Sequence, residues 1–282
     1  MSHLPELRHE APRDNEALRA RLYAGDLFLT EPVPQSVRLA EAAREILHAH
    51  LGDDLRHAHE RYSPEAFFER IGKARYELFM TPTYHALLFE LIEAFGFDPA
   101  AVAFDPARIR VIQHDGHHNP KAQAVYYAHR DTWYGHPQSL ITWWVPLDDL
   151  APEETFVFYP ERFAESVPNS SEIFDYNDWV RDGWELKIGW QKLEAGEQAE
   201  YPGVTEAFDP GQKLGFACRA GQNLLFSGSH FHQTLEQSLG TTRYSLDFRI
   251  AHLGDVEADR GAPNVDNRSR GSALRDYIRF EA

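Results

Sequence analysis

Residues 223–250, NLLFSGSHFHQTLEQSLGTTRYSLDFRI, decide how this chain is read. NLLFSG (223–228) and TRYSLDFRIAHL (242–253) are short, rich in aliphatic and aromatic residues, and separated by a polar, glycine-containing connection. Runs of that kind are strands. Working outward, five more segments share the character: ARIRVIQH (107–114), AQAVYYAH (122–129), SLITWWVP (139–146), TFVFYP (155–160) and KLGFACR (213–219). Gly, Pro, Asn and Asp punctuate them.

Before them the pattern is helical. PQSVRLAEAAREILHAHLG (34–52) repeats apolar residues at helical spacing and meets a glycine stop at Gly52. SPEAFFERIG (63–72) opens with a serine cap and a proline in the first turn, and TPTYHALLFELIEAFGF (81–97) follows the same grammar. Seven strands behind a helical lead-in predict a mainly β chain with a helical N-terminal part. The expected architecture is a jelly-roll, or cupin-like double-stranded β-helix, barrel buttressed by helices. One domain over 1–282 is expected, with a helical buttress at 1–104, a barrel core at 105–252 and a tail at 253–282 that ends in a short helix. Within the core, 161–210 is a long connection holding Phe174, Tyr176, Trp179, Trp184, Trp190 and Tyr201. A connection of that length usually carries function or a small structure of its own, and a lid is expected.

Composition narrows the function classes. With 28 Lys and Arg against 44 Asp and Glu, the net charge is −16. That balance argues against nucleic acid, which is held by clustered cations, and against an anionic membrane surface. The one cysteine, Cys218, excludes an internal disulfide and any cysteine-based zinc site, and its apolar setting suggests a buried, inert thiol. The N-terminus lacks a signal-peptide core and no run is long enough to span a bilayer, so a soluble cytoplasmic protein is expected. Oligomeric state is not legible.

The chemistry lies in two segments. AVYYAHRDTWY (124–134) carries His129 and Asp131, which in a strand share one face with Tyr127. The distal segment offers two histidines, His230 and His232, again on a shared face, followed by Arg243 and Ser245. Two histidines and one carboxylate make the facial triad that holds non-haem Fe(II) with coordination positions open. An Arg-x-Ser pair on one strand face suits a carboxylate, by the guanidinium fork and a hydroxyl donor. The bland readings are a chance His-x-Asp and a surface ion pair for Arg243. Gln113 ends a strand and either reaches the co-substrate or caps the turn. His114, His117 and His118 in HDGHHNP read as a turn with a second metal site as the lesser alternative. Of the neighbours Trp143 and Trp144, only one can face a pocket.

FSGSHFHQTLEQSLGTTRYSLDFR (226–249) resembles the C-terminal signature of the phytanoyl-CoA dioxygenase-like family of Fe(II)/2-oxoglutarate oxygenases, and the likeness spans mainly 107–252. In that family the arginine that grips 2-oxoglutarate follows the ligand histidine by eleven residues, which is the spacing from His232 to Arg243. The resemblance therefore implies His129, Asp131 and His232 as iron ligands. It also implies Arg243 as the 2-oxoglutarate grip and leaves His230 beside the ligands or facing substrate; by strand position and phase, Ser245, Gln113 and Tyr127 are the further co-substrate contacts expected. ITWWVPLDDL (141–150) matches the family's central strand at Trp144 and Leu147. Where many members continue with Asn-Gly and Pro-Gly-Ser-His, this chain has EETFVFYPERF, and an acidic chain suits a polyanionic CoA ester poorly. Related halogenases carry Gly or Ala where Asp131 stands, so the likeness implies hydroxylation, or less often desaturation or ring formation, with succinate and CO2 released; the substrate expected is a small polar metabolite. The competing readings are a cupin-like metalloenzyme that does not use 2-oxoglutarate and a non-catalytic jelly-roll binding protein.

Overall fold

A computed structural model describes residues 4–119, 122–187 and 201–280. Its strands are β1 (Leu7–Arg8), β2 (Leu27–Thr30), β3 (Val102–Ile112), β4 (Leu140–Pro146), β5 (Phe156–Phe158), β6 (Asn223–Ser227), β7 (His232–Thr234), β8 (Arg243–His252) and β9 (Ile278–Arg279). The helices are α1 (Asn15–Tyr23), α2 (Pro34–Leu51), α3 (Ala58–Arg61), α4 (Pro64–Met80), α5 (Pro82–Ala94), α6 (Tyr176–Lys187) and α7 (Leu253–Glu257).

Helix ends follow the sequence signals. The Ser63 side chain accepts from the Ala66 amide at the start of α4, with Pro64 behind it, and α2 stops at Gly52 with φ 82°. Seven strands form one sheet in the order β1-β2-β6-β4-β8-β3-β9, and β5 pairs with β7 in a second, two-stranded sheet. The longest ladder joins β3 to β8 antiparallel, from Val102 opposite His252 to Ile112 opposite Arg243.

Strand alternation sorts the side chains. On β8, Tyr244, Leu246, Phe248 and Ile250 are fully buried in the core shared with α2, α4 and α5. Trp143 on β4 joins them, stacked on Phe248 at 5.2 Å and meeting Phe95 edge-on at 4.6 Å, with its indole N–H donated to Asn223. Aromatic contacts of that kind add about 1 kcal/mol beyond the area they bury. On the opposite face of the large sheet, Trp144, Leu224 and Phe226 pack with Phe156 and Phe158 of β5 and with Phe216 and Cys218. Helices thus cover one face and the small sheet covers the other. Cys218 is free and buried, and burial pushes its thiol up to about 12, as an inert core cysteine requires.

Several expected strands differ. AQAVYYAH forms no ladder: Gln123–Tyr126 is a 3-10 turn, and pairing resumes only at a single bridge between His129 and His232. KLGFACR makes two isolated bridges, Leu214 to Phe158 and Cys218 to Leu150, because it skirts the small sheet without aligning to it. Strands β1, β2 and β9 add to both edges of the large sheet from segments at the two ends of the chain. The tail runs through α7 and an irregular stretch to a 3-10 turn at Ala273–Asp276 and β9, where a short final helix is expected from sequence. The side chains of Trp184 and Trp190 lie outside the described residues. No described helix is long and apolar enough to cross a membrane.

Candidate metal centre

The polar faces of β3, β4 and β8 line a cavity of about 400 Å³ between the two sheets, and β7 lines it from the other side. Its wall includes His129, Asp131, His232, Arg243 and Gln113. One ligand atom from each of His129, Asp131 and His232 lies within 4.8 Å of the others. The same-face argument for His129 and Asp131 survives without a strand, because the backbone is extended at Tyr127 and Arg130. Arg130 then points the other way, 1% exposed, and pairs with Asp266 at 3.0 Å.

Backbone carbonyls fix both imidazoles. His129 Nδ1 lies 2.8 Å from the Tyr127 carbonyl, and His232 Nδ1 lies 3.0 Å from the His230 carbonyl. A carbonyl only accepts, so each Nδ1 carries the proton and each Nε2 keeps its lone pair. His129 Nε2 is 3.7 Å from Asp131 Oδ1. Thr142 Oγ1 donates to Asp131 Oδ2 at 2.5 Å, and Arg249 donates to Oδ1 at 3.2 Å.

Electrostatics select the protonation state that a metal needs. Burial pushes His232 down to about 4, and the neighbouring His129 adds to this. Burial alone would raise Asp131, but Arg249 and the two histidines outweigh it and hold the carboxyl well below the usual range. A neutral imidazole beside an ionised carboxylate is the ligand form. Arg249 is shared: it also lies 3.6 Å from Asp247, which Arg110 grips with two bonds at 2.8 and 2.9 Å.

Arg243 is different. It is 3% exposed on the cavity wall, with its guanidinium carbon 5.8 Å from the Trp144 ring centre. Its hydrogen bond to the Glu154 carbonyl is a long one, 3.4 Å, and among the described residues Nε has no partner. Among the described residues no carboxylate pairs with it. Burial pushes it down to about 10, so it is still a cation at neutral pH.

Two sequence expectations are corrected. Tyr127 is 45% exposed and does not line the cavity, because it caps the Gln123–Tyr126 turn at the surface instead of lying in a paired strand; its carbonyl, not its ring, serves the site. His230 shares its face with His232, both rings meeting Phe158 and Phe226, but it does not line the cavity and so does not face substrate. The His230 ring is fully buried among Phe158, Phe163 and Phe226, and only its carbonyl reaches His232. Ser245 sits on the Arg243 face of β8 but behind the cavity wall, with Oγ buried and unpartnered. Of the two tryptophans, Trp144 lines the cavity.

Sequence reading missed Thr142, Arg249, Arg110 and Asp247. The signal for Asp247 and Arg249 was available in RYSLDFRI, where every second residue is polar through a strand buried on both faces. It also missed Asp266, which accepts from Arg130, from the Trp133 indole at 2.8 Å and from the Val167 amide at 2.9 Å. Nothing local marks that residue, since its partners lie about a hundred or more positions away. Phe174, Tyr176, Trp179 and Tyr201 of the long connection form an aromatic side of the cavity, and Tyr134 bridges them to His129.

No family model matches the chain, and no curated protein does. Among solved structures, AviO1 from Streptomyces viridochromogenes Tue57 is similar at 14% identity, with 91% of this chain and 100% of that one covered and a TM-score of 0.43. EvdO2 from Micromonospora carbonacea var. aurantiaca, complexed with 2-oxoglutarate, is 16% identical over 67% of this chain and 69% of its own, at 0.36. The epimerase SnoN in complex with Fe3+, alpha ketoglutarate and nogalamycin RO is 13% identical over 84% of each chain, at 0.41. At those scores the function must come from the site's own geometry.

Proposed function

We propose that this chain is a non-haem Fe(II)- and 2-oxoglutarate-dependent oxygenase on a double-stranded β-helix, similar to phytanoyl-CoA dioxygenase-like enzymes. One observation carries the proposal: a buried, cationic Arg243 without a carboxylate partner among the described residues lines the same cavity as His129, Asp131 and His232. A desolvated guanidinium costs several kcal/mol unless an anion joins it. A dicarboxylate bound to the metal by one end supplies that anion with the other.

The residues fit both groups. Two imidazole Nε2 atoms and one ionised carboxylate are the donor set that suits Fe(II) and leaves positions for other ligands. Bound there, Fe(II) with 2-oxoglutarate and O2 supplies an oxidant that converts a substrate C–H to C–OH, while 2-oxoglutarate leaves as succinate and CO2. The chain's own share is orientation and exclusion of water. Thr142 and Arg249 aim Asp131, the carbonyls of Tyr127 and His230 aim the histidines, and Arg243 holds the far carboxylate. Ser245 Oγ is a candidate for a further donor on that strand face, and Gln113, one residue beyond the β3 partner of Arg243, stands on the cavity wall. Phe174, Tyr176, Trp179 and Tyr201 of the long connection line the same cavity as Arg108 and Arg110, a lining that suits a small polar metabolite with an apolar face.

Titration of 2-oxoglutarate into the Mn(II)-loaded protein tests the reading. Arg243→Ala should weaken binding about a hundredfold, since truncating one partner of a buried charge pair costs about 2–5 kcal/mol. Arg243→Lys should fall between. Equal affinity in wild type and Arg243→Ala would remove the arginine from the site and, with it, the argument for this co-substrate.

A further inference from the structure

A second group of ligands sits on the loop after β3. Gly116–His118 is a single 3-10 turn entered through Asp115, whose backbone is left-handed at φ 53°, ψ 18°. Successive side chains on a 3-10 turn point about 120° apart. Here His117 and His118 nevertheless converge, their ring centres 3.9 Å apart and inclined by 47°. One ligand atom from each of Asp115, His117 and His118 lies within 4.8 Å of the others. Among the described residues, the buried His117 Nδ1 has no hydrogen-bond partner.

The carboxylate is held from behind. The Asp115 amide donates to the Gln237 carbonyl at 3.0 Å, and Ser238 Oγ donates to Asp115 Oδ1. The Gly240 amide donates to His114 Nδ1 at 3.2 Å, which leaves the proton on His114 Nε2. That Nε2 lies 3.4 Å from Asp115 Oδ2. A carboxylate backed by an imidazole and a hydroxyl is the supporting shell that orients metal ligands.

We propose that Asp115, His117 and His118 form a second metal site, separate from His129, Asp131 and His232, that takes a divalent ion of the zinc type. Two imidazoles and one carboxylate suit Zn(II), Ni(II) or Co(II), whereas Mg(II) and Ca(II) prefer oxygen throughout. The ion ties the loop after β3 to the 235–242 connection, which runs from the strand bearing His232 to Arg243 at the start of β8. Gly116 of the same loop lines the cavity, so the ion stiffens its rim. The site does not depend on the oxygenase reading.

Equilibrium dialysis against Zn(II) decides the matter. Asp131→Ala/His232→Ala, which disables the first triad, should retain one zinc per chain, and adding His117→Ala/His118→Ala should leave none. Ser238→Ala should weaken zinc about tenfold by loosening Asp115. Co(II) should give a visible d–d spectrum in the triad-disabled protein that His118→Ala abolishes. If the triad-disabled protein does not fold by circular dichroism, the count is made on wild type, where two ions should fall to one in His117→Ala/His118→Ala. A triad-disabled protein that binds no zinc, or a count that the histidine substitutions leave unchanged, overturns the site.

Discussion

Asp131 shows how single residues set the site. Its two oxygens are held separately, one by the Thr142 hydroxyl and one by the Arg249 guanidinium, so its orientation is fixed before any metal arrives. Thr142→Val keeps the shape and deletes the donor, and should weaken metal binding about 10- to 100-fold with the fold intact, as read by competition with a chelator. His232 makes a pH prediction. Its folded value is about 4 against an ordinary 6.5, so between those values the unfolded chain binds a proton that the folded chain does not. Apo stability should therefore rise with pH across that window, by on the order of 3 kcal/mol from this residue. His136, half-buried and pushed down to about 3 by desolvation, acts in the same direction. Urea midpoints for the metal-free protein at pH 4.5 and 7 check the sign, and a higher midpoint at 4.5 would contradict it. At this scale the sequence suggested ligand types but not their supports, because Thr142 and Arg249 reach Asp131 from two other elements, Arg249 from 118 positions away.

At the scale of elements, β8 was readable and the segment around His129 was not. TRYSLDFRIAHL pairs on both sides, with β3 and with β4, so its local pattern and its environment agree. AQAVYYAH has the composition of a strand yet becomes a 3-10 turn and one bridge. What fixes it is distant: Asp266 in the C-terminal stretch neutralises Arg130 and caps Trp133, clamping the residues on either side of Asp131. Asp266→Ala should leave Arg130 buried without its carboxylate and cost about 3–5 kcal/mol, measured by denaturant unfolding. It should also weaken metal binding though it is not a ligand. The alternation rule did hold for the tryptophan pair, though only the folded chain shows that Trp144 is the one on the cavity. Trp143→Ala should act on stability, costing about 3–5 kcal/mol in the helix-side core, whereas Trp144→Ala should also act on ligand binding.

For the whole molecule, the helical lead-in, the large sheet and its buried faces followed from hydrophobic patterning. The edge strands β1 and β9 did not, because two-residue pairings leave no periodicity to read. The long connection was recognisable by length and aromatic content, and its Phe174, Trp179 and Tyr201 do reach the cavity. Ligands that bind only the folded protein stabilise it, by about 2.7 kcal/mol at a hundredfold excess over Kd. For a chain of this size that is a rise in Tm of roughly 5–10 °C. Metal and 2-oxoglutarate should each raise Tm, and Arg243→Ala should lose the second increment while keeping the first.

The central claim is that one cavity binds Fe(II) through His129, Asp131 and His232 and 2-oxoglutarate through Arg243. Anaerobic addition of Fe(II) and then 2-oxoglutarate, followed by visible absorption, tests it most directly. A weak metal-to-ligand charge-transfer band should appear with 2-oxoglutarate, vanish in Asp131→Ala, and need far more 2-oxoglutarate in Arg243→Ala. Iron binding with no such band at saturating 2-oxoglutarate, or a band indifferent to both substitutions, would contradict the account.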